Sequence, residues 1–296
     1  MNGILCVNKP QDFTSFDVVA KLRGILHIKR LGHGGTLDPM ATGVLPVLVG
    51  TATKACDIMP DNTKSYLAGF RFGCVSDTQD VWGNIKTVSD KSVSLDDINA
   101  VLPEFTGRIM QLPPMYSAVQ VNGQRLYDLA RKGIEVEREP REIEVSSLRL
   151  QGYDPVKREG SLEIVCGKGT YIRTIINDIG DKLGCGGIMT SLVRTSSCGF
   201  TLADCHTFEE IISARDAGTL EDMILPVERL FSDMRRIVLS EAQTRMYRNG
   251  VKLDIERVRG ISTEHDEYAV YGSDGFIGTA YADRENGVLR VGKNFG

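Results

Sequence analysis

The chain has 296 residues, 42% hydrophobic and 25% charged, with a net charge of −4 and a mean hydropathy of −0.13. Such a composition suits a globular protein with one sizeable core and a smaller second one. No run reaches the roughly 18 uninterrupted apolar residues of a membrane span. The first seven residues turn polar too early for a signal peptide, so a cytoplasmic protein is expected. The seven cysteines, at 6, 56, 74, 166, 185, 198 and 205, lack the close spacing of a zinc ribbon or redox motif, and the four histidines form no ligand pair. Reduced thiols and no metal are therefore expected. The charge is uneven: residues 1–60 carry six Lys/Arg against four Asp/Glu, residues 151–233 eight against thirteen, and residues 234–296 ten against nine. Both ends are slightly basic, which leaves room for a local nucleic-acid surface.

In chain order, residues 3–8 read as a strand and Lys9-Pro10-Gln11-Asp12 as a turn. Thr14 or Ser15 caps a helix on which Phe16, Val18, Val19, Leu22, Ile25 and Leu26 recur at helical spacing. His27-Ile28-Lys29-Arg30 ends it with basic groups at the negative end of the dipole. Three glycines and a proline punctuate residues 32–39, which are expected to be irregular. Residues 44–49 read as a buried strand, 51–59 as a short helix and 66–72 as an alternating strand. Asn122-Gly123 signals a hairpin turn, 126–132 a helix and 135–144 a charge-dense extended segment. Residues 105–150 thus read as a protruding insertion more than core. A strand at 162–166, a turn at Gly167-Lys168-Gly169 and a helix at 172–183 follow. Without a regular βαβ rhythm the class is α+β. Residues 226–233 look like a boundary, dividing the chain into 1–233 and 234–296. The second part reads as a strand at 236–239, a helix at 240–249 and strands at 267–271, 276–281 and 288–291, a small β-barrel-like domain.

Chemistry concentrates in three places. Gly32-His33-Gly34-Gly35-Thr36-Leu37-Asp38-Pro39 lacks the endings of a P-loop or dinucleotide loop. It offers a histidine and an aspartate on a pliable backbone, or simply a turn in which Asp38 caps its neighbours. Gly169-Thr170-Tyr171-Ile172-Arg173 places a tyrosine and an arginine where a helix begins. Arg173 is either a surface residue or, if it faces Asp38, a fork that holds the carboxylate charged and aimed. Tyr66, opening a strand after Lys64-Ser65, is either sheet packing or a platform for an unstacked base.

These segments occur in order with Asn8-Lys9-Pro10, Thr14-Ser15, Met40-Ala41-Thr42-Gly43, Pro113-Pro114-X-Tyr116-Ser117-Ala118 and Asn122-Gly123-X-Arg125-X-Tyr127. Together they closely resemble the bacterial TruB family, the tRNA pseudouridine-55 synthases, over essentially the whole chain. The resemblance implies a pseudouridine-synthase catalytic domain around a central mixed or antiparallel sheet, an RNA-gripping insertion at about 105–150, and a C-terminal PUA domain. It also implies isomerisation of uridine in the tRNA T-loop without metal or cofactor, by a monomer needing no protein partner. On it, Asp38 matches the catalytic aspartate and Arg173 its partner. His33 matches the histidine that enters the T-loop, and Tyr66 the tyrosine stacked on the flipped base. Tyr171 and Leu192 match the uracil pocket, and Lys9 an early lysine with a partly structural part. His27, Lys29, Arg30, Arg125, Arg131 and Lys132 are candidates for phosphate contacts. Two rival readings are an RNA-binding or tRNA-folding module with a structural Asp38, and a guide-RNA-dependent relative.

Overall fold

The structure is a computed structural model that describes all residues except 61, 62 and 122. Its first part comprises β1 (Gly3–Lys9), α1 (Ser15–Leu26), β2 (Leu31–His33), β3 (Thr42–Val49), β4 (Lys64–Phe72), β5 (Cys74–Ser76), β6 (Ile85–Thr87) and α2 (Leu95–Val101). It continues through β7 (Gly107–Gln111), β8 (Gln120–Val121), β9 (Gln124–Arg125), α3 (Leu126–Ala130), β10 (Arg141–Asp154), β11 (Glu159–Cys166), α4 (Ile172–Lys182), β12 (Gly187–Ser197), β13 (Phe200–Thr201) and α5 (Phe208–Ala217). The last stretch holds β14 (Arg235–Val238), α6 (Glu241–Arg248), β15 (Leu253–Asp254), β16 (Glu267–Gly272), β17 (Gly275–Asp283) and β18 (Val288–Asn294).

Nine of the described strands form one mixed sheet in the order β1-β3-β12-β4-β11-β10-β7, with β2 on β3 and β13 on β12. Only the β3–β12 junction is parallel. β1 and β3 are apolar on both faces because each face is covered. α1 covers one of them, burying Val18, Val19, Leu22 and Ile25 among residues of β1 and β3. Thr14 caps it in a reciprocal box with Asp17, and His27 ends it in the left-handed conformation at φ 54°. α4 lays Ile172, Ile175, Ile176 and Ile179 into a second core with Phe70, Leu148, Ile164 and Leu192.

Several elements differ from the sequence reading. Leu31–His33, expected to be irregular, pairs antiparallel with Val47–Val49 of β3 as a short strand. The helix expected at 51–59 is a 3₁₀ turn over Gly50–Ala55. β7 and β10 are the edge of the central sheet, so residues 105–150 are not a wholly protruding segment. The part of it outside the central sheet is 112–140, between β7 and β10. Ile143, Val145 and Leu148 bury while Arg141, Glu142 and Glu144 face water, so the charge density conceals a one-sided strand. The Asn122-Gly123 turn has its first residue outside the described residues; β8 and β9 on either side pair antiparallel.

The C-terminal sheet runs β14-β16-β17-β18-β15 and encloses its own core around Tyr247, Tyr268 and Val270. The Tyr247 hydroxyl donates to the carbonyls of Thr279 (2.8 Å) or Lys293 (3.1 Å), which ties α6 to β17 and β18. Its Tyr271 and Phe295 pack with Phe231 against Ile4 and Leu48 of the central sheet.

Candidate active site

Residues 34–41 link β2 to β3 and carry Asp38. Several of their carbonyls are held by buried side chains, while the Asp38 and Pro39 carbonyls accept from the Ala41 and Asp12 amides. Arg194 of β12, fully buried, donates to the carbonyls of Gly35 (3.3 Å), Thr36 (3.2 Å) and Val44 (2.8 Å). Lys9, also fully buried, donates to those of Pro39 (3.0 Å), Phe13 (2.6 Å) and Pro10 (2.9 Å). The Ser15 hydroxyl accepts from the Leu37 amide at 2.8 Å. Gly43 completes the fit: it sits at φ 103°, and a Cβ there would lie 2.2 Å from the Arg194 carbonyl oxygen. Leu37 and Ala41 are thereby drawn into the core, and the Asp38 side chain stays 36% exposed. Burial pulls the Lys9 ammonium down to about 8, against the opposing charge of Asp38.

Opposite the loop, Arg173 stands in the first turn of α4, its side chain 6% exposed. One terminal nitrogen lies 3.6 Å from an Asp38 carboxylate oxygen, and the other 3.7 Å from Asp80. Both separations exceed hydrogen-bond length, so the guanidinium balances two charges without being clamped by either. Its direct bond goes to the Tyr116 carbonyl at 2.5 Å. Asp80 is fully buried; its other oxygen accepts from the Thr78 hydroxyl (2.5 Å) and the Trp82 amide (3.0 Å). Burial pushes the Asp80 carboxyl up, and those hydrogen bonds together with Arg173 oppose the shift.

The other expected residues are placed unevenly. Tyr66 and Leu192 are buried in one cluster with Leu37, Ala41 and Ile172, so Tyr66 does not present an open ring face. Burial drives its phenol up to about 12. Tyr171 caps α4, with its amide donating to the Gln111 side-chain oxygen (2.8 Å) and its carbonyl accepting from the Gln111 nitrogen (3.0 Å). His33 is half-buried in β2 opposite Val47, and its Nδ1 has no hydrogen-bond partner among the described residues. Burial, then the nearby Arg194 charge, lowers its pKa and favours neutral imidazole. Lys9 reaches the Asp38 loop only through the Pro39 carbonyl. Of the phosphate candidates, Arg125 and Arg131 flank the Tyr127 ring at 5.8 and 5.6 Å. Asp80, Gln111 and Arg194 were not found from sequence; each works through a partner distant in the chain.

The assembled features are a carboxylate on a braced loop, an arginine shared with a second carboxylate, and an aromatic-aliphatic wall. Residues 23–172 match the TruB family pseudouridylate synthase N-terminal domain, and residues 173–232 the tRNA pseudouridylate synthase B C-terminal domain. The tRNA pseudouridine synthase B of Clostridium tetani is 40% identical over 287 residues, covering 96% of this chain and 97% of the relative. That of Acaryochloris marina is 43% identical over 283 residues, 94% of each. A chain from a crystal structure of a Cbf5–Nop10–Gar1 complex superposes with TM-score 0.78 at 25% identity, covering 99% of this chain and 85% of that one. The chain belongs to the TruB family of pseudouridylate synthases.

Proposed function

We propose that the protein isomerises the T-loop uridine at position 55 of tRNA to pseudouridine, with Asp38 as the catalytic carboxylate. The observation that carries this reading is Arg173 held between a buried Asp80 and a partly exposed Asp38. Of those two carboxylates, Asp38 alone has substantial exposure to an incoming base. The family matches and the tRNA-directed names of the relatives point the same way.

The reaction breaks the bond from uracil N1 to the ribose anomeric carbon and joins that carbon to C5. The C5 proton leaves and N1 gains one, so the change is intramolecular and redox-neutral. The uridine must first leave the stack. Asp38 then acts on the sugar or the ring while Arg173 aims it. Tyr66 would stack on the flipped base after moving from its packed position, with Tyr171 and Leu192 lining the uracil pocket and excluding water from the cleaved intermediate. His33 would enter the T-loop where the base departs, and Lys9 would hold the loop from behind. We assign residues 1–233 to catalysis, a span in which the family matches end at residue 232. We assign 234–296 to a PUA-like RNA-binding domain, and the insertion to gripping the T-arm. Among the described residues no helix is long and apolar enough to cross a membrane; separately, we read a tRNA-directed activity as a cytoplasmic one.

The test is tritium release from tRNA transcripts labelled at uridine C5, with the modified position mapped. Asp38→Asn should lower the single-turnover rate more than about a thousandfold while tRNA affinity stays within about threefold. Appreciable turnover by that variant would sink the assignment. The structural likeness to a chain solved in a Cbf5–Nop10–Gar1 complex supports a second, partner-dependent reading. Activity of the purified protein on naked tRNA, as a monomer with no other component, decides between the two.

A further inference from the structure

The chain has a single tryptophan, Trp82, and it is 44% exposed. It sits in the loop between β5 and β6, two residues after Asp80. That loop is braced along its length. Asp77 accepts from the Asn84 amide (2.8 Å) and side chain (2.9 Å), and Thr78 bonds Asp80. The Val81 amide donates to the Met189 carbonyl and the Met189 amide to the Gln79 carbonyl, both at 3.0 Å. The Thr174 hydroxyl of α4 donates to the Gln79 side chain at 2.7 Å. Gly83 is packed so tightly that a Cβ would meet Asp77, Thr78 and Ser76 oxygens at 2.2 to 2.4 Å.

A loop with this bracing fixes the backbone that carries the exposed side chain, so the main-chain part of the entropic cost of ordering on binding is already met. Exposed Phe16, by comparison, lies beneath the Arg23 guanidinium at 5.6 Å. For the Trp82 indole no ring, cation or hydrogen-bond partner occurs among the described residues. At 44% exposure the indole keeps a large amphipathic face available to a ligand. Its backbone is tied to the active site: the Trp82 amide bonds Asp80, Asp80 faces Arg173, and Arg173 faces Asp38.

We infer that Trp82 is a substrate-binding residue on which an unpaired nucleobase of the RNA, a neighbour of the target uridine, stacks. This rests on the reading of the site as a uridine isomerase acting on a folded RNA loop. Base flipping unstacks the neighbours of the extruded nucleotide, and aromatic side chains are the common receptors for such bases. Because every base has a π-face, the contact adds affinity with little sequence preference.

The single tryptophan makes the test direct. Unmodified tRNA transcript is titrated into the Asp38→Asn protein while indole emission is followed. Saturable quenching is expected, with a midpoint equal to the dissociation constant from filter binding. In steady-state tritium release by otherwise wild-type protein, Trp82→Ala should raise KM for tRNA about 5- to 150-fold with kcat within about threefold. Trp82→Phe should restore most of the loss, which also shows that the loop folds without the indole. Unchanged emission at saturating tRNA overturns the inference. So does an unchanged KM for Trp82→Ala, or a fall in kcat alone that Trp82→Phe fails to restore. If wild-type protein binds tRNA yet forms no pseudouridine, the proposed function fails, while emission and filter binding still judge the indole.

Discussion

In the first 233 residues the side chains of Lys9, Asp80, Arg173 and Arg194 are all buried. Beyond residue 234 the buried polar side chains among the described residues are two threonines, Thr244 and Thr279. There the charges pair at the surface, as in Arg257 with Asp254 at 3.2 Å and Arg284 with Asp266 at 2.9 Å. Burying a charge is expensive, and the attraction of a partner rarely does more than offset the cost. The C-terminal sheet folds around Tyr247, Tyr268 and Val270 without that expense. The central sheet accepts it where the Asp38 loop and Arg173 are set in place, so its buried charge goes into positioning that loop and that arginine rather than into stability.

Removing one buried charge should break the comparison most visibly. Arg173→Met leaves Asp80 buried without its cation, and we expect a loss of about 3–5 kcal/mol in urea unfolding together with loss of activity. Adding Asp80→Asn should return about half of that stability but none of the activity. Full recovery of activity by the double variant would mean that Arg173 serves only to neutralise Asp80. Arg194→Met should cost about 2–3 kcal/mol, since three loop and strand carbonyls lose their donor. Its kcat should fall more than its KM rises, and an unchanged kcat would show that the loop holds without its brace.

Asp178 of α4 sharpens the comparison through pH. Burial pushes its carboxyl up to about 6, above the value near 4 of an unfolded chain. A group whose folded pKa is raised costs stability as it ionises, so this contribution is lost as pH rises from about 4 to 6. Asp178→Asn should therefore unfold about 1–2 kcal/mol later than wild type at pH 8 and at nearly the same point at pH 4. An advantage that persists at pH 4 would point to packing. The smallest effect belongs to the C-terminal surface: Arg257→Ala should shift thermal unfolding by less than about 0.5 kcal/mol. A loss near 2 kcal/mol there would erase the distinction between the two halves.

The features legible in the sequence are those whose cause is local. Thr14 and Asp17 cap α1 within one turn, and the glycines before Asp38 sit in the loop they make possible. Resemblance extended this to Arg173, which the structure brings beside Asp38. Arg194 reaches Gly35 across 159 residues and Gln111 reaches Tyr171 across 60, and no periodicity reports such pairs. β12, which carries Leu192 and Arg194, escaped because bulges at Met189/Ser191 and Arg194/Ser196 break its alternation. Charges on the solvent face and bulges of its own hid β10 in the same way. Asp80 is one of two aspartates in its loop, and its burial beside Arg173 distinguishes it from Asp77.

The three buried cations near Asp38 share a habit: Lys9, Arg173 and Arg194 all donate to main-chain carbonyls. A carbonyl belongs to every residue type, so replacing Thr36, Pro39 or Tyr116 removes no acceptor. An alanine scan of those positions would pass over the bracing almost silently. Shortening or lengthening the chain by one residue would not, because it moves the acceptor itself. The bracing therefore depends on the identity of the three donors and on the spacing of the loops they hold, and by itself places no demand on the side chains at the acceptor positions.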